Sequence, residues 1–224
     1  MKDQFSGQYV QRSADSSYIS ETDGVKQKIV ANKIIMTVAE IKQFIQGGQW
    51  VSVTPELRPS ITKSTAGDIN PFYCTRAFRY LPDDGFECTL VNYLDAAGKT
   101  PLVKFVIKGH LQWQGDHPVA PGAQQVDYVA DVAYEVTPLH AGWVDAVNRI
   151  PANGVGKWEL NATQDLKGKA FLPFGLTDPK IYVDYDLIYI YKDMLFNGSK
   201  NVDGRPFNKP ANRPTNLQVP LVRQ

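Results

Sequence analysis

The spacing of apolar positions changes once along this chain. Val38, Ile41, Phe44 and Ile45 recur at helical spacing, with Thr37-Val38-Ala39-Glu40 as a capping box in front and Gly47-Gly48 behind. This predicts a short amphipathic helix packed on a larger body, with a lid or a barrel plug as the alternative role. From Trp50 onward the period is two. Residues 50–53, 72–80, 86–93, 102–108, 110–114, 125–136, 156–163 and 181–191 read as strands. Turn residues separate them at Pro82-Asp83-Asp84-Gly85, Asp95-Ala96-Ala97-Gly98 and Gly115-Asp116-His117-Pro118. Gly109 falls between two of the runs, where a bulge or bend lets a sheet curl.

A second helix is predicted where Thr137 caps, Pro138 takes the first helical position, and Leu139, Trp143, Val144 and Val147 form an apolar stripe. Residues 11–24, polar and rich in Ser and Asp, read as a loop or loose arm, and residues 164–180 as a loop. The Pro-rich tail at 205–220 should run extended, pinned against the sheet by Phe207, Leu217, Val219 and Leu221. Successive antiparallel strands at this spacing predict a mainly β fold: a curled antiparallel sheet forming a β-barrel or half-barrel, lipocalin-like in general shape, with two short packing helices. The expected division is an arm and short helix at 1–47 and a barrel domain at 48–224, together one structural unit. There is no internal repeat.

Composition narrows the partners. With 43% hydrophobic and 21% charged residues among 224, the chain has a globular balance and enough length to bury a core without metals or disulfides. A net charge of +1 and the absence of a Lys/Arg block argue against nucleic acid and anionic membrane surfaces. No apolar run approaches the roughly 20 residues of a membrane span, and Met1-Lys2-Asp3-Gln4-Phe5-Ser6-Gly7 lacks the apolar stretch of a signal peptide. Cys74 and Cys88 read as reduced apolar side chains, with a pairing across a hairpin as the alternative. The expected location is therefore cytoplasmic. No residue signals an oligomeric state.

Glu56 and Arg58 stand two apart in a strand-like stretch, so they project from one side. Arg76 shares a face with Cys74, Phe78 and Tyr80, an apolar face on which an arginine needs a carboxylate, a ligand or water. The three charges form either a structural network or a site. Two arginines with one glutamate leave a surplus positive charge, which suits a carboxylate, phosphate or enolate. In the run 181–191, Tyr185, Leu187, Tyr189 and Tyr191 share one face, read as aromatic packing or as a lumen lined by phenols. Asp184 and Asp186 lie on the other face and read as solvated outer carboxylates, with acid or base work as the alternative. His110, His117 and His140 show no ligand spacing, so no metal is expected. His117 and His140 read as surface groups, while His110, just after the Gly109 bend, is the one to watch. None of the common hydrolase, nucleotide-binding or metalloprotease motifs occurs, and no cofactor is expected.

The order of several short motifs resembles the repeated domain of the adenomatosis polyposis coli down-regulated protein family. The residues that carry it are Trp50-Val51-Ser52, Glu56-Leu57-Arg58-Pro59, Thr75-Arg76, Lys108-Gly109, Val136-Thr137-Pro138-Leu139, Leu195-Phe196-Asn197-Gly198, Arg213-Pro214-Thr215 and Gln218-Val219-Pro220-Leu221-Val222. They span residues 48–222, one copy of the domain. The resemblance implies a half-open or closed β-barrel with an apolar cavity. The family's known members are membrane-tethered Wnt inhibitors proposed to bind lipid. This chain departs from them where Pro55 and the vicinity of Ala97-Gly98 replace two cysteines. It also shows no second copy, signal or anchor, so the scaffold is expected to carry over and Wnt antagonism is not.

The expected function is binding of a lipophilic small molecule, with or without an anionic group, in an apolar cavity. Glu56, Arg58, Arg76, Phe78, Tyr80 and Tyr189 are the candidate ligand residues. The alternative is an enzyme using the same cavity (a cyclase, isomerase or hydratase of a specialised metabolite), with Glu56, Tyr93 and Tyr189 as its candidate catalytic groups. A second alternative is a protein–protein interaction module, whose barrel would be filled by side chains.

Overall fold

The computed structural model describes residues 36–58, 72–150, 155–174, 176, 178–199 and 205–224, and the backbone of residues 11–12, 17–22 and 25–30. The chain divides into two units, residues 1–35 and 36–224. In the first, β1 (Gln11–Arg12), β2 (Ser17–Thr22) and β3 (Val25–Val30) form an antiparallel sheet in that order. This corrects the loop expected over 11–24. The overlooked signal is Asp23-Gly24, a hairpin-favouring dipeptide between residues 22 and 25, which pair with each other.

The second unit begins with α1 (Val38–Ile45), whose capping box is formed as the sequence predicts: Glu40 N donates to Thr37 Oγ1 and Thr37 N donates to Glu40 Oε2. Thr37→Ala should lower stability by about 1 kcal/mol, the usual worth of such a cap, measured by urea unfolding at unchanged slope. Strands follow as β4 (Gln49–Ser52), β5 (Glu56–Arg58), β6 (Phe72–Tyr80), β7 (Gly85–Tyr93), β8 (Pro101–Asp116) and β9 (Gln124–Pro138). After α2 (Ala141–Val147) come β10 (Gln164–Asp165), β11 (Val183–Tyr191), β12 (Met194–Asn197) and β13 (Leu221–Arg223). The order β9-β11-β12-β13-β4-β6-β7-β8, with β8 pairing back onto β9, closes an antiparallel barrel of 8 strands. Closure leaves no free edge on the barrel wall. β5 adds to β6 and β10 to β9 outside this circuit.

Gly109 does not break β8. It marks the point where the β8–β9 register jumps from Lys108↔Ala133 to His110↔Val129. A β-carbon there would lie 1.8 Å from the Val129 carbonyl oxygen, so the close approach admits only glycine. The strand expected over 156–163 is absent. Trp158 N donates to Asn148 Oδ1 and Trp158 O accepts from Asn148 Nδ2, which anchors the segment to the end of α2 instead of to a ladder. Nor does α2 start at Pro138. Thr137 and Pro138 are still paired with β8, and His140 is the residue that caps the helix.

Ile41 and Ile45 of α1 pack with Trp50, Tyr80, Phe86, Leu111, Val126, Ile188 and Leu221, and Trp50 Nε1 donates to the Ile45 carbonyl. A second cluster joins Val103, Phe105, Tyr134 and Val136 to Val147, Trp158, Leu166 and Phe171. In the tail, Phe207 and Leu221 are buried, but Leu217 and Val219 are 37% and 53% exposed, contrary to the apolar pinning expected of them. Polar contacts hold the tail there instead. Arg213 pairs with Asp127 and donates to the carbonyls of Val126 and Asp186, and His117 Nε2 lies 2.9 Å from the Pro214 carbonyl oxygen.

Candidate ligand site

Alternation along β6 turns Cys74, Arg76 and Phe78 toward the barrel lumen, and along β7 it turns Cys88, Leu90 and Asn92 there. With Phe105 and Ile107 of β8, Tyr128, Ala130 and Tyr134 of β9, and Asp184 and Asp186 of β11, they surround a cavity of about 310 Å³. Most of its wall is aromatic or aliphatic. Its polar groups are Arg58, Arg76, Asn92, Asn197 and Gln218 beside the two aspartates, and the phenols. Burial raises the pKa of Tyr128 and Tyr134 above the ordinary phenol value, so both are neutral hydrogen-bonding groups at physiological pH. Cys74 and Cys88 do not face each other: the register sets Cys74 against Asn92 and Cys88 against Phe78, and both thiols are free.

Beneath this wall lies the network built on Glu56. Arg76 Nε and Nη2 donate to Glu56 Oε1 at 3.0 and 2.9 Å, and Ser52 Oγ donates to the same oxygen at 2.6 Å. Arg76 Nη1 donates to Asn197 Oδ1, and its Nη2 also donates to the Val219 carbonyl. Arg58 Nη2 lies 3.3 Å from Glu56 Oε2, while Arg58 Nη1 donates to Gln218. Asn197 continues the chain to the Tyr128 hydroxyl, 2.9 Å from the Tyr80 hydroxyl.

Of the candidate ligand residues, Arg58, Arg76 and Phe78 line the cavity; Glu56, Tyr80 and Tyr189 do not. Glu56 reaches the lumen only through the two arginines it holds. Tyr189 packs beside Phe196, and the Tyr93 hydroxyl lies 3.3 Å from Thr75 Oγ1, outside the lining. His110 forms an exposed pair with Asp131, at 2.9 Å. His117, expected on the surface, is buried, because its Nδ1 accepts from Val119 N and Ala120 N while its other nitrogen meets the tail.

Asp184 and Asp186 require the largest correction. They face the lumen rather than solvent, because β11 pairs Asp184 with Tyr128 and Asp186 with Val126, both inward residues of β9. The opposite face of β11 is covered over its middle: Leu187 is fully buried and Arg213 stacks on Tyr185 with its guanidinium carbon 5.6 Å from the ring centroid. The surplus of positive charge inferred from Glu56, Arg58 and Arg76 is thus offset on the same cavity wall. Asp186 Oδ1 accepts from Leu187 N at 2.7 Å and Gly198 N at 2.8 Å. Burial pushes its carboxyl up to about 6, against the opposing pull of those two donors and of Arg76 and Arg213. The inward isoleucines Ile188 and Ile190, two and four positions on, are the sequence signal that marks this face as internal.

No protein-family model matches the chain.

Proposed function

We propose that this barrel is a binding protein for a small lipophilic molecule carried in its lumen. The observation that carries the proposal is the cavity of about 310 Å³ between the two core clusters. Small-molecule sites start at roughly 300 Å³ and combine an apolar wall with a few placed polar groups. Protein interiors are otherwise close-packed. A barrel serving only as an interaction module has no need of such a space, and its lumen would be filled by side chains. The family resemblance also fits a barrel with an apolar cavity. Pro55, where the resemblance implies one family cysteine, lies beside Gly98, in the vicinity of the other: a β-carbon on Gly98 would lie 3.0 Å from Pro55 Cγ. Two free thiols and the absence of a long apolar helix among the described residues accompany an intracellular setting in this proposal.

An enzyme using the same cavity is the second reading. Asp186, a carboxyl group that burial pushes up to about 6 at the cavity wall, is the observation that favours it. Glu56, Tyr93 and Tyr189 lie outside the lining, so a catalytic role for them would have to act at a distance.

N-phenyl-1-naphthylamine, an uncharged apolar fluorophore, should bind the purified protein saturably with one site per chain. Ala130→Phe places a ring in the lumen and should weaken that binding by at least about tenfold, equivalent to ~1.4 kcal/mol, with the fold retained by circular dichroism. Absent saturable binding, or binding indifferent to Ala130→Phe, the lumen is not the site.

A further inference from the structure

The charged groups of the cavity differ in what they leave open. Arg76 spends its donors on Glu56, Asn197 and the Val219 carbonyl, and Arg58 is engaged by Glu56 and Gln218. Arg76 is therefore answered by the protein, and Arg58 shares the Glu56 charge with it. Asp186 is the opposite case. It is 7% exposed and lines the cavity, and its two hydrogen bonds both end on Oδ1. Oδ2 takes no hydrogen bond from the described residues, although a carboxylate offers acceptor sites on both oxygens. Among the described residues, Oδ2 is an open carboxylate acceptor on the cavity wall.

We propose that Asp186 is the head-group site of the cavity and that the ligand presents a protonated amine to it from a compact apolar body. This rests on the lumen being a binding site at all, and it specifies the ligand's chemistry. A buried carboxylate is costly to ionise, and a cation offsets that cost directly while adding a charge-assisted hydrogen bond. A hydroxyl head group supplies only the hydrogen bond. A carboxylate head group meets a like charge at Asp186, and the guanidiniums it would pair with already share Glu56. The groups facing Asp186 are Arg76 and Tyr80 from β6, Tyr128 from β9, Tyr182 beside β11 and Arg213 from the tail, with Asp184 on its own strand. Arg213 directs its hydrogen bonds to Asp127 and to the Val126 and Asp186 carbonyls, so its charge acts on the Asp186 carboxyl without donating to Oδ2.

Octylamine, octanol and octanoate share one apolar chain and differ in head group. Each is titrated against bound N-phenyl-1-naphthylamine at pH 7.5. Octylamine should displace the fluorophore at a concentration about tenfold lower than octanol, with octanoate weakest. Asp186→Asn keeps an acceptor for Leu187 N and Gly198 N, and should remove the amine's advantage while leaving octanol unchanged. A measurement on the unaltered protein needs no variant to fold: between pH 7.5 and pH 5, octylamine should weaken about tenfold as Asp186 takes up a proton, and octanol should hold constant. Octanoate or octanol displacing best, or an amine preference that survives Asp186→Asn, overturns the assignment while the lumen remains a binding site. If neither the fluorophore nor any of the three binds, the binding function fails, and the head-group assignment fails with it.

Discussion

Glu56→Gln should cost about 3–5 kcal/mol of folding stability, the range found when one member of a buried ion pair is removed. That is a large share of the 5–15 kcal/mol by which a domain is ordinarily stable. Glu56 and Arg76 have side chains only 4% and 3% exposed, so solvent cannot replace the lost charge. Glutamine retains one acceptor for Arg76 and Ser52, but it sets an amide N–H₂ toward Arg58 and leaves two guanidiniums with no anion between them. The double replacement Glu56→Leu with Arg76→Met should cost less than the sum of the single replacements, because no uncompensated charge stays buried. Urea unfolding of the three variants measures this. A loss below about 1 kcal/mol for Glu56→Gln, typical of an exposed pair, would mean that the network does not hold the barrel. Because Glu56 lies behind the cavity wall, the folded variant should bind N-phenyl-1-naphthylamine as the unaltered protein does.

Asp186→Asn should act in the other direction. A carboxyl group raised from 3.8 to about 6 keeps its proton in the folded state after the unfolded chain has released its own. Stability contributed by this group is therefore fully present below about pH 4 and is lost as pH rises toward 6. At about 1.4 kcal/mol per pH unit the loss amounts to roughly 3 kcal/mol, persisting at neutral pH. Asparagine keeps the acceptor for the two backbone donors without the charge. The variant and the unaltered protein should be equally stable at pH 4, and by pH 7.5 the variant should be the more stable by up to that amount. Comparing the two proteins at each pH cancels the contributions of Glu56 and the other carboxylates. Equal stabilities at both pH values, or a variant weaker at pH 7.5, would show that Asp186 is not a strained buried acid. Stabilisation together with a lost preference for octylamine is the trade expected of a residue kept for binding.

These two residues also show how far local sequence pattern reaches. β6 lies where its alternation puts it, at both ends, and α1 starts and stops at its capping box and Gly47 because those signals are local. The pairing of Glu56 with Arg76 was legible by the same logic: an arginine on an apolar face needs a nearby anion, and the strand carrying Glu56 pairs beside it. Barrel closure was less so. It depends on β12 and β13, 4 and 3 residues long, too short for a period-two pattern to declare itself. The face of Asp186 is not legible locally because β11 is covered on both sides at this point. The cover on its outer side comes from Arg213 in the tail, beyond the reach of any local window. The same tail buries His117 through the Pro214 carbonyl, which no feature of the Gly115-Asp116-His117-Pro118 turn foretells. Local residues set the strands, and remote ones decide which faces are inside.

A crystal structure of the protein soaked with 4-bromophenethylamine tests the central claim most directly, since bromine is located by its anomalous signal independently of the surrounding density. The expected result is one bromine peak inside the barrel near Phe78, Phe105 and Ile107, with the ammonium nitrogen about 3 Å from Asp186 Oδ2. Bromine found only on the outer surface, or a lumen closed by repacked side chains, would contradict it.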